Sequence, residues 1–279
     1  MPYAASMSEA VSVVVLSGKG GTAKTLWQHT LAGEASRAGI STLLLDVDPE
    51  RNLSNRFHVP AHSSGLGTVL EAAGVTANEG DAEAGAKAVA DEIRSTPWAH
   101  VDLLPAGASL NGVSQVAVPD TWLLRDILTI AGIYSRYDLV LLDTGGRTGS
   151  LATLTMYAAD VAYAPITPTT DAVLKAREAR SRVERIQRAH PLRWAGVVLT
   201  GFDLRTSVDT VIRDAAFEEF GDEIRAEVPR RVTVHEAFQL TERLGDRTDV
   251  ISTGLAEIFR EFLRRDLMGV ANSKDGVIR

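Results

Sequence analysis

The chain has 279 residues, 45% of them hydrophobic and 23% charged, with a formal net charge of −7 and no cysteine. That length and apolar content fit one large α/β domain or two small ones, with an ample core. The net charge excludes a molecule that attracts nucleic acid over its whole surface, and the missing thiols exclude disulfides, cysteine nucleophiles and iron–sulfur ligation.

The opening stretch "MPYAASMSEA" lacks a basic region followed by a long apolar run, so no secretory signal is expected. Apolar runs such as 13–16 and 139–142 are too short to span a bilayer. The expectation is a soluble cytoplasmic protein. "VSVVVLSG" (11–18) is a β-branched run ending in glycine, the pattern of a strand buried on both faces in a parallel sheet. A helix is predicted to follow over 24–37. Further buried strands are predicted at 41–48, 101–107, 137–146, 161–168 and 195–203, with a weaker seventh at 223–229. Helices are predicted at 120–134, 150–159, 171–189, 206–220 and 253–267.

This alternation predicts an α/β fold: a doubly wound, mostly parallel sheet with helices on both faces. Residues 71–92 hold six acids and one lysine and are rich in alanine and glycine, so they read as a solvated helix or loop insertion without a catalytic role. The expected organisation is a short tail over 1–10, a single domain over 11–267 and a polar tail over 268–279. Sheets of this kind bind ligands beyond the carboxyl ends of their strands. Lys19 to Thr25, Asp46, Asp48, Asp143 and Thr200 all fall there.

"LSGKGGTAKT" (16–25) carries the densest chemistry. Gly18, Gly20 and Gly21 let the backbone curl so that successive N–H groups face one anion, and the helix start near Lys24 adds its positive end. Lys24 is placed to bridge β- and γ-phosphates, and the Thr25 hydroxyl to hold Mg²⁺. Ala23 stands where the strict phosphate-loop pattern has its second glycine. Asp143 closes the apolar run "LVLL" and suits a second Mg²⁺ holder. A carboxylate among Asp46 and Asp48 could position or deprotonate an attacking water. These residues alone do not separate ATP from GTP.

The second lysine, Lys19, is where a family resemblance enters. "KGGTAKT" resembles the deviant Walker A motif of the ParA/MinD ATPases, a P-loop NTPase fold. "DVDPERNLS" (46–54) resembles that family's D-x-D-P-Q-G-N segment, and "YDLVLLDTGG" (137–146) its Walker B strand. "GVVLTGFDLRT" (196–206) and "EVPRRVTVHEA" (227–237) resemble the Soj-like ParA branch in particular. The resemblance covers about Val11 to Leu267. It implies a weak, partner-stimulated ATPase using ATP and Mg²⁺, with Lys19, Lys24 and Asp48 as catalytic residues. Nucleotide contacts would come from Gly18, Lys19, Gly20, Gly21, Thr22, Ala23, Lys24, Thr25 and Leu26, with Thr200, Pro229 and Arg230 around the adenine. Thr25, Asp46 and Asp143 would organise the metal. Lys19 would cross a nucleotide-dependent homodimer to the partner's ATP. Three departures stand out. Leu26 replaces a threonine that contacts the α-phosphate. Glu50 and Arg51 replace glutamine and glycine. Gly145 and Gly146 replace a proline pair.

"KAREARSRVERIQRAHPLR" (175–193) has seven Lys/Arg against two Glu on an acidic chain. On a helix Arg177, Arg180, Glu184 and Arg188 share one face, with Arg185 beside them. Arg205 and Arg231 are further basic candidates. The resemblance implies that such residues hold double-stranded DNA without sequence preference, with a ParB-like centromere-binding protein stimulating hydrolysis and the protein associated with the nucleoid. A membrane is not expected, because the apolar positions of 251–267 read as a core-packed helix. Two alternatives remain open: a MinD-like or other cargo-positioning ATPase, and a P-loop biosynthetic ligase.

Overall fold

A computed structural model describes residues 10–18, 20–77, 79–118, 120–146 and 149–269. The expected tails, except for Ala10, Met268 and Gly269, and the expected role of Lys19 lie outside the described residues. In chain order the elements are β1 (Val11–Val15), α1 (Lys24–Arg37), β2 (Thr42–Val47), α2 (Asn52–Arg56), α3 (Leu66–Ala72), α4 (Ala82–Glu92), β3 (Arg94–Ser95), β4 (Val101–Leu104) and α5 (Leu110–Val113). Then come α6 (Leu123–Ile130), α7 (Ile133–Arg136), β5 (Leu139–Thr144), α8 (Ser150–Tyr157), β6 (Val161–Ile166), α9 (Ala172–Ile186) and β7 (Arg193–Phe202). The chain continues through α10 (Ser207–Phe220), β8 (Ile224–Pro229), α11 (Val232–Gln239) and α12 (Val250–Phe262).

The strands form one sheet in the order β3-β4-β2-β5-β1-β6-β7-β8, parallel throughout except for the two-residue edge strand β3. The apolar runs dictate this arrangement. Every residue of β1, β2, β5 and β6 is buried, so both sheet faces need a covering layer. Alternation of side chains divides them. Val14, Leu43, Leu45 and Leu142 join one core with residues of α3, α6, α8 and α9, while Val13, Val15, Leu44 and Leu141 join the other with α1 and α12. The end of α12 and the wide turn Leu263–Met268 pack inward, with Phe259 and Phe262 ring centroids 4.4 and 5.5 Å from Trp27. Among the described residues no helix is long and apolar enough to cross a membrane.

Two expectations need correction. The helix predicted at 120–134 breaks into α6 and α7 around Ala131 and Gly132. The acidic stretch 71–92 is not a solvated insertion. Its second half is α4, which buries Gly85, Ala86 and Val89 and packs on α3 and α6. Glu83, Lys87 and Asp91 face solvent. The small residues serve contact rather than flexibility: a Cβ on Gly85 would lie 2.8 Å from Ile127 Cδ1. Charge count alone misreads a helix whose buried face is made of glycine and alanine.

Candidate nucleotide and metal site

The sheet order places β1 between β5 and β6, with β2 on the far side of β5. In that register Val15 pairs with Asp143, and Asp143 with Asp46. The phosphate-loop strand therefore ends beside Asp143 of β5, with Asp46 of β2 one strand further on. The loop leaving β1 enters α1 through Ala23, which is left-handed at φ 63°, ψ 17°. That conformation explains why glycine is usual there. Lys24 follows, 6% exposed, its Nζ donating to Ser17 Oγ at 3.1 Å and Thr22 Oγ1 at 3.4 Å. Burial lowers the Lys24 pKa, and the charges of Asp143, Asp48 and Glu50 oppose that shift.

The three carboxylates differ in what holds them. Asp46 is fully buried, and its Oδ2 accepts the Ser54 N–H at 2.7 Å and the Ser54 hydroxyl at 2.6 Å. Its Oδ1 accepts the Asp48 N–H at 3.1 Å. Burial nevertheless pushes its pKa up to about 6. Asp48 Oδ1 accepts the Glu50 N–H at 3.0 Å and its Oδ2 accepts Asn52 Nδ2 at 3.1 Å. Asp143 is fully buried, and neither of its oxygens has a hydrogen-bond partner among the described residues. Burial and then the charge of Asp46 raise its pKa well above the carboxylate range, with the Thr25 hydroxyl and the Lys24 ammonium opposing. A buried carboxylate left without a donor, beside a hydroxyl, is an oxygen-donor set that a hard divalent cation satisfies. Among the described residues no group of three or more His, Cys, Asp or Glu is placed to hold a metal ion.

Three cavities run along this edge. One of about 550 Å³ is lined by Gly20 to Leu26, Asp48, Glu50, Asn52 and Arg56, with His235, Phe238 and Gln239 opposite. A second, of about 400 Å³, contains Thr200, Pro229 and Arg230, and shares Leu26 and His235 with the first. A third, of about 500 Å³, shares Gly20, Asp48, Glu50 and Gly146 with the first and extends to Thr144, Gly145 and Ser150. The phosphate loop thus sits mid-groove, with the candidate adenine residues at one end and Asp48 at the other. The Thr200 hydroxyl is already engaged, accepting Trp27 Nε1–H at 2.6 Å. The sequence reading did not single out α11, although it walls both nucleotide-side cavities. Most of it falls within the stretch 227–237 quoted for its family resemblance, but no helix is predicted there. Arg56 ties this wall to α2, donating to Gln239 Oε1 at 2.6 Å and lying 5.2 Å from the Phe238 ring centroid.

The family departures have visible consequences. Arg51 occupies a left-handed position, φ 60°, where glycine is usual. Its guanidinium reaches the carbonyls of Ala61 at 2.7 Å and Pro60 at 2.8 Å, contacts that offset the backbone cost. Leu26 packs against the core and lines two cavities, so an α-phosphate contact through a hydroxyl is absent at that position.

The basic helix α9 is present, but its arginines are not equivalent. Arg180 donates to Glu219 at 2.6 Å and Glu223 at 3.2 Å and covers the Phe220 ring. Arg177 lies 3.6 Å from Glu219. Arg205 forms a two-pronged pair with Asp203, which holds that carboxyl below its ordinary range. Arg185 and Arg188 are exposed at the end of α9. Arg231 is exposed and donates to the Arg230 carbonyl. Half of the expected basic candidates are therefore paired within the protein.

Comparison with known proteins bears on the family and the fold. A family model described as an AAA domain matches residues 10–191. The chromosome partitioning protein ParA of Caulobacter vibrioides is 29% identical over 263 residues, covering 91% of this chain and 94% of its own. The septum site-determining protein MinD of Pyrococcus horikoshii, complexed with Mg-ADP, superposes with a TM-score of 0.73 at 19% identity, over 94% of this chain and 98% of that one. Cobyrinic acid a,c-diamide synthase from Mycobacterium smegmatis, with bound ATP analog and magnesium, gives a TM-score of 0.73 at 20% identity, over 92% and 98% of the two chains. The last two likenesses show the shared P-loop fold.

Proposed function

This chain belongs to the ParA/MinD family of P-loop ATPases, and on that premise we propose that it is a DNA-partition ATPase whose ATP-bound dimer holds DNA and lets go on hydrolysis. The observation that carries the nucleotide half of this reading is the convergence of Lys24, Thr25, Asp48 and the unpartnered Asp143 carboxylate at adjacent strand ends. The base sits in the cavity of Thr200, Pro229 and Arg230, and the phosphates lie along Gly20 to Thr25. Lys24 is buried at the start of α1 beside the phosphate loop, so its ammonium stands where a triphosphate would meet it. Mg²⁺ fits between Thr25 and Asp143, where it would neutralise phosphate charge. Asp46, committed to Ser54 and the Asp48 N–H, sets the Asp48 segment and adds negative charge behind the ion. Asp48 faces the γ-phosphate end and directs the attacking water. Lys19 reaches the partner's nucleotide.

For the DNA half, the support is the exposed end of α9 with Arg185 and Arg188, joined by Arg231. Dimerisation doubles such a patch, which is how ATP can gate a weak phosphate-binding surface. A ParB-like protein bound at a centromere then accelerates hydrolysis. The test is retention on random-sequence duplex DNA with ATP, with ADP and without nucleotide, across a salt series. Retention with ATP alone, falling steeply with salt, is expected. Equal retention in all three states, or none, overturns the partition reading.

A further inference from the structure

Asp48 is unusually well fixed. Its N–H is held by Asp46 Oδ1 at 3.1 Å, and its carbonyl accepts the Arg51 N–H at 2.8 Å. Its two carboxylate oxygens are held by the Glu50 N–H and by the Asn52 amide at 3.0 and 3.1 Å. One side remains, and there the neighbour is Gly145, at the end of β5. A Cβ at Gly145 would lie 2.8 Å from Asp48 Oδ1, 3.2 Å from its Cγ and 3.6 Å from Pro49 Cδ. Real Cβ atoms essentially never come that close to an oxygen. The carboxylate can make room only by giving up its contacts to the Glu50 N–H and the Asn52 amide.

We propose that Gly145 is a positioning residue for the hydrolytic step: its bare Cα is the seat of the Asp48 carboxylate, and a Cβ added there on this chain's backbone moves that carboxylate off the γ-phosphate end of the groove. The proposal rests on the reading of Asp48 as the water-directing group. It assigns a task to the Gly145–Gly146 departure from the proline pair of the resembling family. Gly145 and Gly146 line the same cavity as Asp48 and Glu50, so a displaced carboxylate would swing within that cavity rather than into the core. Removal of the side chain at 145 is thereby coupled to placement of the side chain at 48. Displacement of a fixed catalytic group by about an ångström costs one to two orders of magnitude in rate.

The experiment is a two-by-two set: the native chain, Gly145→Ala, Asp48→Ala and the double variant. Two readouts are taken: melting temperature without nucleotide, and ATP turnover with nucleotide affinity. In the native background Gly145→Ala is expected to lower the melting temperature and to reduce kcat about tenfold or more, with ATP affinity within about twofold. In the Asp48→Ala background the clashing atoms are gone, so Gly145→Ala should leave the melting temperature unchanged. Should Gly145→Ala alone fail to fold, the double variant is expected to fold. An equal melting loss in both backgrounds, or failure of both to fold, overturns the seat. Coupled melting together with full turnover in Asp48→Ala would overturn the catalytic reading of Asp48 and leave the seat in place. Those two failures are therefore distinguishable.

Discussion

His29 lies in α1, 1% exposed, with neither ring nitrogen hydrogen-bonded. Its ring sits among Trp98, Phe238 and Phe57, at centroid distances of 4.7, 5.1 and 5.8 Å. Burial, helped by the nearby Arg56 charge, pulls its pKa down from 6.5 to about 3. The folded protein therefore refuses a proton that the unfolded chain accepts near 6.5. Stability from the neutral ring is complete above pH 6.5 and drains as pH falls toward 3, by about 1.4 kcal/mol per unit. At pH 5 the loss is about 2 kcal/mol. Asp46 works the opposite way. Its folded carboxyl takes up a proton near pH 6, so its charge costs stability above that pH, and the cost fades as pH falls from 6 toward 4. A His29→Phe variant keeps the Asp46 contribution and removes the histidine's, and the swap of similar rings should cost under about 1.5 kcal/mol at neutral pH. The assay is urea unfolding of both proteins between pH 7.5 and 4.5. The variant is expected to gain on the native chain by about 2 kcal/mol between pH 7.5 and pH 5. A stability difference that stays flat with pH would refute the buried, neutral histidine.

Lys24→Ala should abolish ATP binding, measured with a fluorescent analogue, while the far-ultraviolet circular dichroism spectrum is kept. Asp48→Ala should yield an ATP-bound dimer that persists in sedimentation long after the native dimer has decayed; undiminished turnover would reassign the role. Arg185→Glu with Arg188→Glu should lower ATP-dependent DNA retention more than tenfold and flatten its salt dependence. Arg180→Ala should leave retention nearly unchanged and instead cost about 1 kcal/mol of stability, because its charge is spent on Glu219 and Glu223. Gly85→Leu should destabilise by about 1–3 kcal/mol in a melt, by forcing α4 off Ile127.

The sheet was legible because strands buried on both faces are apolar, and six such runs stand out before any partner is known; the weaker seventh, 223–229, became the half-exposed edge strand β8. The phosphate loop was legible because its chemistry is contiguous. What escaped was set by partners distant in sequence. α11 becomes a pocket wall only once β8 has been laid beside β7. The seating of Asp48 on Gly145 joins positions just past the ends of β2 and β5 that are separated by 97 residues. The division of the α9 arginines into engaged and exposed depends on acids that follow some 40 residues later. Arg51 in a left-handed turn breaks a local rule, and its compensation lies in the carbonyls of Pro60 and Ala61.

The pairing of α9 with the end of α10 also bears on how this surface can be exchanged between relatives. Arg180 holds Glu219 and Glu223 while Arg177 leans on the first of them. A graft of α9 alone into another scaffold would strip those arginines of their counter-charges and orphan the two glutamates left behind. The transferable unit is the whole stretch from Ala172 to Pro229, strands β7 and β8 included, because Arg213 of α10 in turn holds Glu227. A chimera cut inside those bounds separates charges that are paired here.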